Sequence, residues 1–370
     1  MSGLLAGMRV LDAGIWRPVP HGTQMLADLG ADVLKIEPPG GDPMRTFPHL
    51  FRDVAGHKRS VELDLRSDAG RERALELVAD AHVFTEGWRP GVAGRLGLSY
   101  DDVRARNPSI IYCSISGYGQ TGPFVDLPGH DVNYQAMAGA VAPRTADEVP
   151  SIPRVPIADL AAGTIAALCI SAAWAKWLQT GEGEYIDVAM ADVCASWTGP
   201  YTGNALRGRS QPTKGSTGYG VFRCADGEWL TLAVISENHF WQAVCDALDL
   251  GVLRDLTHFE RLDRYDECQA AVASACAQLP RDEAVDRLAR SGAPVAPALT
   301  AAQVAVHRQF REREVVVDAG DGTPRLGFPA RLSVHPTRPP GALPDVGADA
   351  AFGWAAFSGP AQGQATDPPM

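Results

Sequence analysis

Three ionisable residues stand where helices should begin. His130 and Asp131 follow Gly129 at the head of a short helix-like run. Asp159 follows a proline-rich crossing (Pro143, Pro150, Pro153, Pro156) and opens an apolar run over residues 160–178, long enough for a buried helix. Free N–H groups and the helix dipole favour negative charge at such positions. Titratable groups at two neighbouring helix starts could move a proton on both faces of a small substrate carbon. Four further residues belong with them: Lys58 in Lys58-Arg59, Arg89 in Arg89-Pro90-Gly91, Arg45, and Glu237 at the start of a later helix pattern. Singly, each has a plainer reading. His130 could be a structural hydrogen-bonder, Asp159 an N-cap, Glu237 a dipole partner, and the cations loop or edge residues.

The elements around them alternate. Met8-Arg9-Val10-Leu11-Asp12-Ala13 reads as a strand and residues 21–30 as a helix ending at a glycine. Asp32-Val33-Leu34-Lys35-Ile36-Glu37 is a second strand, and residues 60–65, 82–85 and 110–115 continue the rhythm with helices between. This predicts an α/β fold: a doubly wound, mostly parallel, Rossmann-like sheet with ligands at the carboxyl ends of its strands. Glycine- and proline-rich loops occupy those ends, at residues 37–42, 87–91 and 116–123. No Gly-x-Gly-x-x-Gly follows the first strand, which excludes a nicotinamide or flavin dehydrogenase. Residues 220–224 and 229–234 flank an Asp226-Gly227 turn, a hairpin signal, and helical patterns follow, so the second domain is small and α+β. The expected division is a large α/β domain at 1–200, a linker at 201–218, the small domain at 219–320, a return segment at 321–358 and a disordered tail at 359–370.

The chain's 370 residues suit two domains, and 45% hydrophobic with 21% charged residues is a globular balance. A net charge of −11 argues against a broad nucleic-acid surface while leaving room for a local basic pocket. No signal peptide is read at the N-terminus. Gly163, Thr164, Ser171 and Lys176 interrupt the longest apolar run, as in a core helix rather than a membrane span. Seven scattered cysteines without a Cys-x-x-Cys pair suggest reduced thiols in a cytoplasm and no zinc site.

The joint order of these segments resembles the family III CoA-transferase (CaiB/BaiF type) superfamily, which also contains alpha-methylacyl-CoA racemase. The resemblance spans about residues 7–335. Its carriers are Val10-Leu11-Asp12, Leu26-Ala27-Asp28-Leu29-Gly30-Ala31-Asp32, Lys58-Arg59-Ser60-Val61, Glu86-Gly87-Trp88-Arg89-Pro90-Gly91, Ser116-Gly117-Tyr118-Gly119, Gly129-His130-Asp131 and Gly183-Glu184-Tyr185-Ile186-Asp187. It implies a coenzyme A thioester as substrate, no metal, NAD or flavin, and Lys58, Arg89 and Arg45 as the cations that hold the CoA phosphates. It also implies an interlaced homodimer, in which the small domain of one subunit covers the large domain of the other.

Two chemistries follow from the resemblance. In the racemases a histidine matching His130 and an aspartate matching Asp159 shuttle the α-proton of a 2-methylacyl-CoA, with Asp131 beside them and a glutamate matching Glu237 in support. In the transferases the aspartate matching Asp159 takes the acyl group and then CoA as covalent intermediates. His130, Asp159 and Glu237 together make the racemase the leading expectation and the transferase its alternative. Racemisation would need an apolar pocket to raise the Asp159 carboxyl, and backbone N–H groups after Asp159 to hold the enolate oxygen. Two departures stand out. Trp16-Arg17-Pro18 replaces the small residues usual before the first helix, and Leu160-Ala161-Ala162-Gly163 is less glycine-rich than in a typical racemase.

Overall fold

Short apolar strands separated by helices form a six-stranded parallel sheet in the computed structural model, which describes residues 3–143, 149–209, 215–318 and 324–357. In chain order the first unit runs β1 (Arg9–Asp12), α1 (Pro18–Asp28), β2 (Asp32–Glu37), α2 (Pro48–Arg52), β3 (Arg59–Glu62), α3 (Asp68–Ala79), β4 (Val83–Glu86), α4 (Val92–Arg95), α5 (Tyr100–Arg106) and β5 (Ile111–Ser116). It continues with α6 (Asp131–Met137), α7 (Ile157–Thr180), β6 (Glu184–Ala189), α8 (Met190–Trp197) and α9 (Gly199–Leu206). The strands lie in the order β3-β2-β1-β4-β5-β6, every neighbouring pair parallel. The winding therefore reverses between β1 and β4, and a ligand crevice is expected outside their carboxyl ends.

Successive strand residues feed opposite faces of the sheet. Val10, Val33, Val83 and Ile111 pack with Leu26 of α1 and Ala162, Ala166 and Ile170 of α7. Leu11, Leu34, Phe84 and Tyr112 pack on the other side with Ala74 and Leu77 of α3 and Val103 of α5. Burial on both faces is why these strands read as nearly unbroken apolar runs. The α1–α7 contact is unusually close. A Cβ placed on Gly22 would lie 2.6 Å from the Gly163 carbonyl oxygen, and one on Gly163 would lie 2.5 Å from that of Pro18.

The first unit comprises Met1–Arg207 together with Arg311–Met370, and the second comprises Gly208–Phe310. The expected linker at 201–218 thus begins inside α9. Pro200 sits in the first turn of that helix, where its missing N–H does no harm. In the first unit's return segment, β10 (Val316–Asp318) pairs antiparallel with β11 (Pro324–Leu326). Trp354 Nε1 donates to the Leu77 carbonyl (2.9 Å), tying the segment to α3. The tail from residue 358 onward lies outside the described residues.

The second unit is α+β. Strands β7 (Tyr219–Arg223), β8 (Trp229–Ala233) and β9 (Val295–Pro297) form an antiparallel sheet. The expected Asp226-Gly227 turn joins the first two, with Gly227 at φ +83°. Helices α10 (Asn238–Ala247), α11 (His258–Asp263), α12 (Tyr265–Cys276), α13 (Arg281–Ser291) and α14 (Ala301–Val306) accompany it. Its core gathers Leu230, Leu232, Trp241, Val244, Val272 and Leu288.

Candidate active site

A cavity of about 530 Å³ opens where the winding reverses. Ile15, Trp16 and Pro18 enter from the segment after β1, Trp88, Arg89 and Pro90 from that after β4, and Gly117 and Tyr118 from that after β5. His130, Asn133 and Tyr134 line it from the start of α6, and Asp159 from α7. The fold thus brings His130, Asp159 and Arg89 to one cavity.

Asp159 is the third residue of α7 and half-buried. Among the described residues its carboxylate has no hydrogen-bond or ion-pair partner. Burial first, then the charge of Asp131, pushes its pKa up to about 7 against the opposing pull of Arg17.

Asp131 has a different task from the catalytic one expected. Its Oδ1 accepts from the backbone N–H groups of Ala158 (2.8 Å) and Asp159 (3.2 Å). Its Oδ2 accepts from Gln135 Nε2 one turn along α6. Asp131 is therefore a cap supplied to α7 from another helix, in the place that the prolyl residue Pro156 cannot fill with a side chain. This corrects the expectation that the first N–H groups of α7 receive a substrate oxygen. Those of Ala158 and Asp159 are occupied by Asp131, and that of Leu160 donates to the Pro156 carbonyl (3.1 Å).

His130 is exposed, and its backbone N–H donates to Asn133 Oδ1 (3.0 Å) at the start of α6. Tyr134, one turn beyond His130, was not singled out from the sequence. The spacing was the available signal, since residues four apart share a helix face. Its ring is buried and packs so closely on Gly117 and Gly129 that a Cβ on either would lie within 2.8 Å of it. Burial, Tyr118 and Asp159 push the Tyr134 hydroxyl up to about 12, with Arg89 opposing.

The three expected CoA-binding cations part company. Arg89 lines the cavity, is exposed, and is paired with no carboxylate among the described residues. Lys58 does not fit the assignment. Its ammonium is fully buried and donates to Asp12 Oδ2 (2.9 Å), the Pro20 carbonyl (2.9 Å) and Thr23 Oγ1 (2.7 Å), leaving no face for a phosphate. Arg45 is committed as well. It forks onto both carboxylate oxygens of Glu37 (2.6 Å each), donates to the Pro344 carbonyl and stacks on Phe51. Both cations brace the loops beneath the cavity. Glu237 belongs to the second unit, preceding α10. Its Oε2 accepts from the Ile235 N–H (3.0 Å), and its own N–H and that of Ile235 hold the carboxyl below its usual range.

Comparison with known proteins places this chain in a family. The sequence profile of CoA-transferase family III matches residues 5–350. An acetyl-CoA:oxalate CoA-transferase of Acetobacter aceti is 32% identical over 365 residues, covering 92% of each chain. A succinate–glutarate CoA-transferase of Agrobacterium fabrum is 30% identical over 364 residues, covering 90% of each. Among solved structures, a CaiB/BaiF family protein from Brucella suis superposes with a TM-score of 0.86 at 29% identity, over 96% of this chain and 100% of the other. A Mycobacterium tuberculosis protein gives 0.84 at 29%, over 95% and 99%. The Acetobacter aceti and Agrobacterium fabrum relatives are named as CoA-transferases, which favours the alternative expectation over the racemase. The chain belongs to CoA-transferase family III.

Proposed function

We propose that this chain is a CoA-transferase that moves CoA between two carboxylic acids through covalent intermediates on Asp159. The observation that carries it is the Asp159 carboxylate, unpartnered among the described residues and held at the cavity by a helix start whose N–H groups are capped from elsewhere. A carboxylate oxygen of Asp159 attacks the thioester carbonyl, the C–S bond breaks, and CoA thiolate leaves an acyl-aspartyl anhydride. The thiolate then attacks the aspartyl carbonyl carbon, releasing the donor acid as its carboxylate and leaving an Asp159–CoA thioester. The acceptor carboxylate reverses both steps. The nucleophile is the ionised form, so activity rises as pH passes upward through about 7. Arg89, which lines the cavity and pairs with no carboxylate among the described residues, is the cation we assign to a CoA phosphate.

A homodimer of the interlaced kind accompanies this reading. Leu168 and Leu178 of α7, Trp197 of α8, and Tyr201 and Leu206 of α9 are large apolar residues left exposed on a single chain.

The raised Asp159 carboxyl also suits an acid that returns a proton, and this keeps racemisation as the second reading. One experiment separates the two. The enzyme is incubated in deuterium oxide with acetyl-CoA, succinyl-CoA or a 2-methylacyl-CoA, with and without a short carboxylate acceptor. Products are followed by mass spectrometry, and hydroxylamine is added to trap acyl-enzyme. CoA transfer to the acceptor with a hydroxamate on Asp159, both lost by at least about a thousandfold in Asp159→Asn, is expected. Deuterium entering the α-position with no transfer and no hydroxamate would overturn the proposal in favour of the racemase.

A further inference from the structure

Trp16 is one of four non-glycine residues with positive φ among the described residues, at φ +60°. A bulky aromatic residue rarely adopts that conformation, and it persists only where its surroundings impose it. The surroundings are explicit. On one side Gly14 is held from both ends, its N–H donating to Asp12 Oδ1 (2.9 Å) and its carbonyl accepting from the buried Lys35 ammonium (2.6 Å). On the other side the Pro18 carbonyl is packed against Gly163 at the α1–α7 crossing. Residues 15–17 must span these two fixed points, and the left-handed turn at Trp16 leaves the residue 47% exposed on the wall of the cavity. Gly163 stands one helical turn beyond Asp159, and residues four apart share a helix face. The loop bearing Trp16 is thus packed against the side of α7 that carries Asp159.

We propose that Trp16 is the specificity-determining wall of the acyl pocket, restricting the enzyme to compact acyl groups that fit between the indole and Asp159. This rests on the transferase reading. The indole and Asp159 line the same cavity, so on this proposal removing the indole admits larger acyl groups while the CoA portion common to all substrates is unaffected.

Trp16→Gly is the decisive variant, because glycine adopts φ +60° freely and the backbone keeps its course without the indole. Thermal unfolding followed by circular dichroism verifies the fold, and Trp16→Phe serves as the conservative control. Transfer to one fixed acceptor is measured with acetyl-CoA and with phenylacetyl-CoA as donors. The ratio of kcat/KM for the bulky donor over the small one is expected to rise at least about tenfold in Trp16→Gly, and to stay within about threefold of the parent in Trp16→Phe. An unchanged ratio, or an equal loss on both donors, overturns the proposal and makes Trp16 a contact to the shared CoA portion or a structural residue. If the parent enzyme transfers CoA between no pair tested, the transferase reading itself fails. Calorimetric binding of the same two thioesters then decides for Trp16 separately, the same tenfold shift in the affinity ratio supporting a pocket wall and its absence removing it.

Discussion

Asp12 and Asp159 are both aspartates beside the carboxyl edge of one sheet, in surroundings of opposite design. Asp12, at the end of β1, is fully buried and surrounded by donors: Lys58 Nζ at 2.9 Å, Thr23 Oγ1 at 2.7 Å and the Gly14 N–H at 2.9 Å. Burial alone would raise its carboxyl, but the ammonium groups of Lys58 and then Lys35 outweigh that and leave it below the usual range. Asp159, at the start of α7, is only half-buried, yet it meets another carboxylate, Asp131, and among the described residues no donor for its own oxygens. Buried charge with complete partners fixes a loop; buried charge without them stays available for reaction. The contrast separates a carboxylate of this edge that is tied into the framework from one left without donors among the described residues, a distinction that residue type alone does not make.

The largest effect expected from this contrast is on stability. Lys58→Ala leaves the Asp12 carboxylate buried without its ion partner and should lower the unfolding free energy by about 3–5 kcal/mol in urea titrations. A loss below about 1 kcal/mol would mean that Asp12 is not held by charge, and the comparison would collapse. Asp131→Ala comes next. It removes the cap of α7, worth about 0.5–2 kcal/mol, and also the negative charge that helps keep the Asp159 carboxyl high. The Asp159 pKa should fall toward its ordinary value, so the nucleophilic carboxylate persists to lower pH and the acid limb of the pH–rate profile moves down from about 7. A limb that stays in place would assign the shift to burial alone. The smallest effect is expected from His130→Ala, a change of less than about threefold in CoA transfer, because the proposed steps leave the imidazole without a task. Loss of transfer in that variant would return His130 to the centre of the mechanism.

The winding of the large unit was legible because parallel strands buried on both faces appear as apolar runs between helix patterns, and the Asp226-Gly227 turn announced its hairpin directly. That Arg89 and Asp159 would lie at the cavity was legible for a related reason, since loops and helix starts after strands are where such folds place ligands. Lys58 was misassigned because its partner Asp12 is 46 residues away, and a Lys-Arg pair before a strand looks the same whether it faces solvent or a buried carboxylate. The role of Asp131 was hidden likewise, its bonds crossing 27 and 28 residues to a second helix. The C-terminal part of α9 falls within the expected linker because the residues from Asn204 to Gly218 are polar and rich in Gly, Arg and Ser, a composition that does not mark where the helix ends.

The bare contact between Gly22 and Gly163 has a mechanical consequence. At that one point backbone rests on backbone, and neither residue has a side chain that could rotate to absorb a displacement. A displacement of the segment after β1 is therefore expected to reach the helix turn that carries Asp159, so that Trp16 and Asp159 move together. Efforts to recut this enzyme for larger acids can vary the indole, but positions 22 and 163 are the pivot and should be left alone.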